Sequence, residues 1–380
     1  MSLTSSHATE ALPTWLRLSL TPGVGPVTAR RLLEALGSPQ AVFDADAPTL
    51  REWVGPTTQQ ALRTVPPDWA DTLERTHRWL NTAGPGERSL LTWLDSDYPA
   101  ALRQLNDAPV LLYLTGARHH LATPGVAIVG SRQCTAQGKA LASEFAHDLS
   151  QAGWSVISGL AIGIDGAAHT AGLQGPGSTL AVIATGPDIV YPHRHRALAH
   201  RIAEHGLIVS EFPPGTPSQP LQFPRRNRLI AGLASGVLVV EAGLPSGSLI
   251  TAQLAADLGR EVFALPGPVH APLSKGCHHL IKQGAQLVET PAEIIQTLAG
   301  TASPTSRPPA QPSLPAWTAP DDLLGNPLWQ ALSETPQDLD SLAAKTQRPV
   351  AELQTELLCL ELSGQVLRLP GGWFQRAARV

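Results

Sequence analysis

The stretch Val126-Ala-Ile-Val-Gly-Ser-Arg132 joins an uninterrupted apolar run to a glycine, a serine and an arginine. An apolar run without alternation is typical of a parallel strand that is buried on both faces. Residues directly after such a strand lie at the carboxyl end of the sheet, where open α/β folds bind ligands. The stretch therefore predicts an α/β sheet with a ligand site at Gly130, Ser131 and Arg132. The alternative is a plain strand-to-helix turn, because the following residues lack the GxGxxG spacing of a dinucleotide site.

Five further apolar runs alternate with helical segments, which indicates a doubly wound, Rossmann-like sheet. These runs are Ser155–Ser158, Leu180–Ala184, Leu207–Ser210, Val237–Glu241 and Val262–Leu265. We predict that the resulting Rossmann-like domain covers residues 84–299.

Two modules flank this domain. Residues 1–83 consist of helical segments with short breaks and resemble a helix-hairpin-helix domain. The glycine turn at 21–26 either contacts a DNA phosphate through its backbone N–H groups or is a purely structural hairpin. Residues 300–320 are rich in proline and serine and predict a linker. Residues 321–380 have the element order of a winged helix.

The composition excludes several classes of protein. The 380 residues carry a net charge of −4, so any nucleic-acid site must be a local basic patch rather than a global positive field. The three cysteines are far apart and form no CxxC pair, which favours a reducing cytoplasm. The N-terminal residues predict no signal peptide, and no apolar run approaches the roughly 18 residues of a membrane span. We therefore expect a cytoplasmic protein with no membrane partner.

A local basic patch is present. Phe223-Pro-Arg-Arg-Asn-Arg228 places three guanidiniums and an amide directly after an aromatic ring. Guanidiniums bind phosphates, and a ring can stack on a flat base. The later segment Ser246-Gly-Ser248 opens a helix-like stretch whose backbone N–H groups can receive a second anion. Separately, each motif is compatible with a surface salt-bridge cluster or a helix cap, but together they favour a phosphate-rich ligand.

Four other groups of residues have less specific interpretations. Asp165 and His169 are four apart and would share a helix face, and we favour a structural hydrogen-bonded pair over an acid–base pair or metal ligands. Glu211 and Glu241 follow strands and are expected to form ion pairs with arginines. Cys277-His-His279 lacks the partner residues of a metal site. The basic cluster at 193–196 either extends a positive groove or is solvated surface.

At these residues the chain resembles the DNA-processing protein A (DprA/Smf) family. The similarity lies in an ordered series of motifs: GSR at 130–132, SGLAxGID at 158–165 with His169, SE at 210–211, FPxRNRxIAGL at 223–233, VVEA at 239–242, SGSLxTA at 246–252 and GREVFALPG at 259–267. Members of the family can also carry an N-terminal domain similar to a sterile alpha motif and a C-terminal winged helix. One departure is His195, which stands where the family usually has an asparagine.

The resemblance implies a protein that binds single-stranded DNA without catalysis. It would protect incoming strands during natural transformation, load the RecA recombinase onto them and displace single-strand-binding protein. It would also form a homodimer through the later part of the Rossmann-like domain, around His278–Val288. The implied DNA-binding residues are Gly130, Ser131, Arg132, Ser158, Gly159, Phe223, Arg225, Arg226, Asn227, Arg228, Ser246, Gly247, Ser248 and Lys282. No catalytic residue, metal or cofactor is predicted.

Two alternatives remain open. Related sheet folds bind or cleave nucleotides with a PGGxGTxxE loop, and the segment 246–252 occupies the similar place. That segment supplies no glutamate, so a hydrolase would lack its acid. The second alternative is a regulatory or scaffold role of the terminal modules. Glu352, Glu356 and Glu361 on the third helix of the winged helix oppose docking to phosphates, which favours protein contact or regulation there.

Overall fold

The computed structural model describes residues 11–301, 326–333, 335–362, 366–369 and 373–376. The chain separates into two compact units, residues 1–303 and 304–380. The predicted linker at 300–320 lies outside the described residues except for its first two positions. None of the helices in the described ranges is long and apolar enough to cross a membrane.

Short helices form the first part of the chain. Several begin with a proline at the first helical turn, where the missing N–H is not needed. Side-chain caps start two of them: Ser38 accepts from Ala41 N, and Asp46 accepts from Thr49 N. The helices are α1 (Leu12–Leu20), α2 (Pro26–Leu36), α3 (Pro39–Asp44), α4 (Ala47–Arg51), α5 (Pro56–Arg63) and α6 (Trp69–Asn81).

A nine-stranded sheet forms the centre of the first unit. Its strands are β1 (Arg88–Thr92), β2 (Leu111–Gly116), β3 (Gly125–Val129), β4 (Ser155–Ser158), β5 (Thr179–Ile183), β6 (Leu207–Ser210), β7 (Gly236–Val239), β8 (Glu261–Ala264) and β9 (Gln286–Leu287). The spatial order is β1-β2-β6-β5-β4-β3-β7-β8-β9. Strands β3 to β9 are mutually parallel, whereas β1 and β2 are antiparallel additions at one edge.

The strand order reverses at β3. The chain proceeds from β3 through β4 and β5 to β6 in one direction, and then returns to place β7 on the other side of β3. Such a reversal leaves a crevice at the carboxyl ends of the two central strands, because the connections leave in opposite directions. The predicted α/β, Rossmann-like class is thereby confirmed, and all six predicted strands are present within one or two residues.

Helices cover both faces of this sheet. Phe145 and Leu149 pack with Val126 and Ile128 on one face, while Leu229 and Ile230 join the core of the other. These helices are α7 (Ala100–Arg103), α8 (Ala136–Gln151), α9 (Ile164–Gly172), α10 (Arg196–His205), α11 (Gln222–Leu233), α12 (Gly247–Asp257), α13 (Lys275–Lys282) and α14 (Pro291–Thr301).

Strands β1, β2 and β9 were not predicted from the sequence. Strand β2 is buried along its whole length and is as apolar as the predicted strands, so its pattern could have revealed it. Strand β1 begins with arginine and serine, and β9 has only two residues. Both are defined by pairing with a neighbour rather than by their own composition.

The second unit has the predicted winged-helix order. It contains α15 (Pro327–Ala331), α16 (Leu339–Thr346), α17 (Val350–Leu362) and a small sheet of β10 (Gln337–Asp338), β11 (Val366–Leu369) and β12 (Trp373–Arg376). Arg348 is bound to carboxylates of the third helix, with 2.6 Å to Glu356 and 3.5 Å to Glu352. This arginine is therefore paired with the acidic helix and is not free to bind a phosphate.

Candidate nucleic-acid interface

A cavity of about 570 Å³ opens at the point where the strand order reverses. It is bounded by the residues that follow β3, by the first half of α11 and by the turn that begins α12. Sequence-predicted residues that line it are Gly130, Ser131, Arg132, Phe223, Arg226, Asn227, Ser246, Gly247 and Ser248. The structure thus brings together three motifs that lie at 130–132, 223–228 and 246–248 in the chain.

Arg226 forms the floor of the cavity. Its side chain is only 4% exposed, and its Nη1 donates to the carbonyl oxygens of Gly159 at 2.5 Å and Val182 at 2.6 Å. Burial lowers the pKa of Arg226 to about 10, while the nearby Asp165 acts in the opposite direction. The guanidinium is therefore charged at neutral pH, but its hydrogen bonds hold the ends of β4 and β5 together.

Gly159 is required next to this arginine. A Cβ atom at that position would lie 2.1 Å from Nη1 of Arg226, a distance that no side chain tolerates. The sequence predicted that Gly159 lets the backbone approach a ligand closely. In the structure its missing side chain instead leaves room for the guanidinium of Arg226. Ser158 is also internal, because its hydroxyl is buried and donates to Ile128 O at 2.7 Å.

Asp165 and His169 hold the loop that follows β4. Asp165 Oδ2 accepts hydrogen bonds from Gly159 N and Ala161 N, and His169 Nε2 accepts one from Leu160 N. Both side chains are buried and each contacts this loop separately. The expected hydrogen-bonded Asp165–His169 pair is therefore wrong in detail. Their role is structural, but it is exerted on the loop and not on each other.

His169 is held in one neutral tautomer. Thr179 Oγ1 donates to Val156 O at 2.6 Å, so it must accept from His169 Nδ1 at 2.7 Å. Because Nε2 accepts from Leu160 N, neither nitrogen can take another proton without losing a hydrogen bond. Burial, together with the nearby His195 and Arg226, lowers the pKa of His169 to about 3.

This tautomer predicts a pH dependence of stability. Protons bind to His169 in the unfolded chain below about pH 6.5 but not in the folded chain until about pH 3. Neutral His169 therefore contributes fully to the stability of the folded protein above pH 6.5. As the pH falls, this contribution is lost, and the free energy of unfolding is lower by about 2 kcal/mol at pH 5. We expect urea unfolding to show this loss in the parent protein and a flatter profile in His169→Gln. Equal slopes in the two proteins would contradict the assignment.

Arg132 and Phe223 form the mouth of the cavity. The Arg132 guanidinium lies 5.0 Å from the centre of the Phe223 ring, within the range of a cation–π contact. Within the part of the chain that the structure describes, it forms no ion pair with a carboxylate. Arg132 is exposed and Phe223 half-buried, so both groups are accessible to a ligand.

A smaller cavity of about 190 Å³ adjoins the mouth on the other side of these two residues. Tyr191 and Arg194 contribute to its lining together with Arg132 and Phe223. Sequence reasoning left the 193–196 cluster undecided between groove and solvated surface. The structure places Arg194 at the cavity, whereas His195 Nδ1 donates to Leu160 O and supports the loop after β4.

The turn before α12 forms the wall opposite Gly130. Ser246 caps the helix, since its hydroxyl accepts from Ser248 N at 3.3 Å. Asn227 fixes this turn to α11, because its Nδ2 donates to Gly247 O and its Oδ1 accepts from Arg226 Nε. The amino end of α12 carries a partial positive charge, so this wall and Arg132 present two attractive sites for phosphates.

Three predicted site residues lie away from the cavity. Arg228 is 8% exposed and pairs with Glu211 at 2.5 Å and with Asp107 at 3.1 Å. Arg225 faces the same carboxylate of Glu211 at 3.6 Å. Successive helical residues point in different directions, which is why Arg226 reaches the cavity while its two neighbouring arginines face α2. Lys282 is exposed at the end of α13.

The expectation of ion pairs holds for one of the two strand-end glutamates. Glu211 binds Arg228, and burial raises its pKa while Arg228 and Arg225 oppose that shift. Glu241 instead accepts from Thr135 N and Thr135 Oγ1 at the start of α8, so its expected ion pair is wrong. The partial positive charge at the N-terminus of α8 stabilises the carboxylate of Glu241, as a guanidinium would in an ion pair.

The Cys277-His-His279 segment has a structural role for its first two residues. Cys277 Sγ lies 3.6 Å from the carbonyls of Val239 and Val240, and His278 is bonded to Gly267 O. Across the described ranges, no three His, Cys, Asp or Glu side chains are grouped to hold a metal ion.

Comparisons with known proteins agree with this geometry. The family described as DNA recombination-mediator protein A matches residues 89–299, and a DprA winged helix domain matches residues 308–372. Protein Smf of Escherichia coli is 40% identical over 327 residues, which cover 81% of this chain and 86% of that protein. DNA processing protein DprA of Streptococcus pneumoniae is 46% identical over 53% of this chain and 71% of its own length.

Two solved structures are similar. The X-ray structure of Streptococcus pneumoniae DprA aligns with a TM-score of 0.62 and 34% identity, covering 76% of this chain and 96% of that one. A Helicobacter pylori DprA structure, described as revealing a single-stranded DNA binding mode, aligns with a TM-score of 0.52 and 31% identity over 57% and 97% of the two chains. The similarity assigns a role in DNA processing and recombination, and the chain belongs to the DNA recombination-mediator protein A (DprA/Smf) family.

Proposed function

We propose that this chain is a non-catalytic protein that binds single-stranded DNA, protects incoming strands and loads the RecA recombinase onto them. The observation that carries the proposal is the cavity at the strand-order reversal, with a free guanidinium on one wall and a helix N-terminus on the other. Guanidiniums and helix N-termini both bind phosphates. The Helicobacter pylori relative, whose structure concerns single-stranded DNA binding, supports the same ligand.

The cavity favours a single strand over a duplex. Phe223 can contact a base only if that base is unstacked and turned outward, as it is in a single strand. A paired base presents only its edge in a groove. Arg132 above the ring can bind the phosphate of the same nucleotide. We therefore expect binding that depends on strandedness and salt and is largely indifferent to sequence.

A catalytic role is not part of the proposal. The acid–base candidates near the cavity are engaged: Asp165 and His169 hold a loop, and Glu241 accepts hydrogen bonds from Thr135, the residue that caps α8. Nucleotide cleavage of the kind catalysed by related sheet folds would need an acid in the α12 turn, where this chain has Ser246-Gly-Ser248. Incubation with nucleoside monophosphates should leave them intact, and release of free base would support the enzyme alternative.

The DNA proposal is tested by a salt titration with single- and double-stranded forms of one labelled oligonucleotide. We expect tighter binding of the single strand at every salt concentration, with an affinity that falls linearly on a log–log plot. Equal affinity for the duplex would contradict the proposal. RecA loading is tested separately, by the rate of RecA filament formation on DNA coated with single-strand-binding protein.

We further propose a homodimer through the edge of the sheet near β9. This strand is last in the order and leaves one side without a partner strand, and Leu287 is 43% exposed there. An exposed strand edge readily pairs with another chain. Leu287→Arg should yield a folded monomer in light scattering, with weaker DNA binding because two linked pockets bind with greater avidity. Persistence of the dimer would exclude this segment from the interface.

A further inference from the structure

An apolar groove continues the cavity along the outer face of α12. It has a volume of about 510 Å³ and shares Pro245, Ser246, Gly247 and Ile250 with the main cavity. Its remaining lining residues are Leu244, Leu249, Gln253 and Leu254. The two spaces therefore adjoin at the N-terminal turn of the helix, and the pair is called the trough below.

The chemistry of the trough changes along its length. The main cavity contains Arg132, Arg226 and the backbone of the α12 turn, whereas the groove is lined by no charged residue. Its exposed aliphatic side chains are Leu244, which is 60% exposed, and Ile250, which is 46% exposed, and Gln253 is exposed beside them. Beyond the helix N-terminus that it shares with the main cavity, the groove offers a phosphate no cation, but its aliphatic side chains can cover the apolar face of a base.

We propose that this groove, made of Leu244, Leu249, Ile250, Gln253 and Leu254, receives the bases of the nucleotides next to the one held in the main cavity. The inference rests on the proposed binding of single-stranded DNA. A phosphate at the N-terminus of α12 would be shared by two nucleotides, one inside the cavity and one on the outer side. The outer nucleotide then lies over Ile250, while the following phosphates face solvent.

This arrangement gives the groove a thermodynamic signature different from that of the arginines. The salt slope is the slope of the logarithm of the affinity against the logarithm of the salt concentration. Loss of a phosphate contact lowers this slope, because fewer counterions are released. Loss of an apolar contact with a base lowers the affinity and leaves the slope unchanged. Only an oligonucleotide that extends beyond the cavity can contact the groove. The effect of a groove substitution on the affinity must therefore depend on the length of the oligonucleotide.

The test compares Leu244→Ser, at a residue that lines the groove and not the main cavity, with Leu94→Ser, which removes a leucine of similar exposure elsewhere on the surface. For a strand of about twelve nucleotides we expect about tenfold weaker binding in the groove variant with an unchanged salt slope. For a strand of about four nucleotides, which fills only the cavity, we expect parental affinity. The control variant should match the parent at both lengths.

The outcomes distinguish the proposed binding of single-stranded DNA from the proposed binding of bases in the groove. Failure of the parent protein to bind either strand would remove the DNA function itself. Parental binding with no effect of the groove variant at either length would overturn only the groove, and would make it a contact for another protein. A changed oligomeric state of the variant in light scattering would likewise overturn it in favour of a second copy. Photocrosslinking of 5-iodouracil in the longer strand should label the peptide that contains residues 244–254.

Discussion

Arg226→Ala is expected to lower the free energy of unfolding by about 3–5 kcal/mol, the range observed when one partner of a buried charge system is removed. The substitution leaves the carbonyl oxygens of Gly159 and Val182 without their donor and removes the positive charge near the buried Asp165. Both defects lie in the floor of the cavity, so DNA binding should be lost together with stability.

Arg225→Ala is the matched control. It removes the same side chain from the adjacent position, where the arginine is 55% exposed and lies 3.6 Å from Glu211. A half-exposed pair at this distance contributes little, and Glu211 keeps its closer partner Arg228, so the unfolding midpoint in urea should stay close to that of the parent. A stable Arg226→Ala protein with a reduced salt slope would show instead that Arg226 binds a phosphate directly.

The second large effect is expected for Arg132→Ala. Its guanidinium contacts only the Phe223 ring among the described residues, so its removal should leave the fold intact. A lost charge-assisted hydrogen bond of about 1.5–3 kcal/mol corresponds to roughly tenfold to hundredfold weaker binding of single-stranded DNA. The log–log salt slope should fall by about 0.7 for the lost phosphate contact.

Arg63→Ala provides the comparison for Arg132→Ala, since Arg63 is an exposed arginine on α5 outside both cavities. Its variant should bind DNA with the parental affinity and slope, which separates loss of a specific contact from loss of net charge. An Arg132→Ala protein that also keeps the parental affinity and slope would place the phosphate site elsewhere.

Arg132 and Arg226 differ in a way that the sequence pattern alone could not reveal. Arg132 and Arg226 were both predicted as phosphate-binding cations, because each belongs to a motif that combines arginine with small, polar or aromatic residues. Only the burial of Arg226 under the loop after β4 reveals that its Nη1 and Nε are already hydrogen-bonded within the protein. Arg225 and Arg228 differ from it by one and two positions, yet the helix directs them to Glu211.

Some residues that line the cavities were not predicted from the sequence, for a related reason. Tyr191 and Gln133 line the two cavities, but neither belongs to a motif with a recognisable spacing. Their segments do follow strands or begin helices that were predicted correctly. A rule that every loop at the carboxyl end of the sheet faces the site would have included Tyr191 and Gln133.

The sequence alone predicted the parallel sheet and the place of the cavity at its carboxyl edge. Short uninterrupted apolar runs that alternate with helical segments indicate strands buried on both faces, and the residues after such strands lie at one edge. The tertiary structure decided which polar groups at that edge remain free. A hydrogen bond or ion pair depends on side chains from distant segments, such as Arg226 with Gly159 and Glu241 with Thr135. Local sequence cannot specify such partners, because they are set by the packing of helices against the finished sheet.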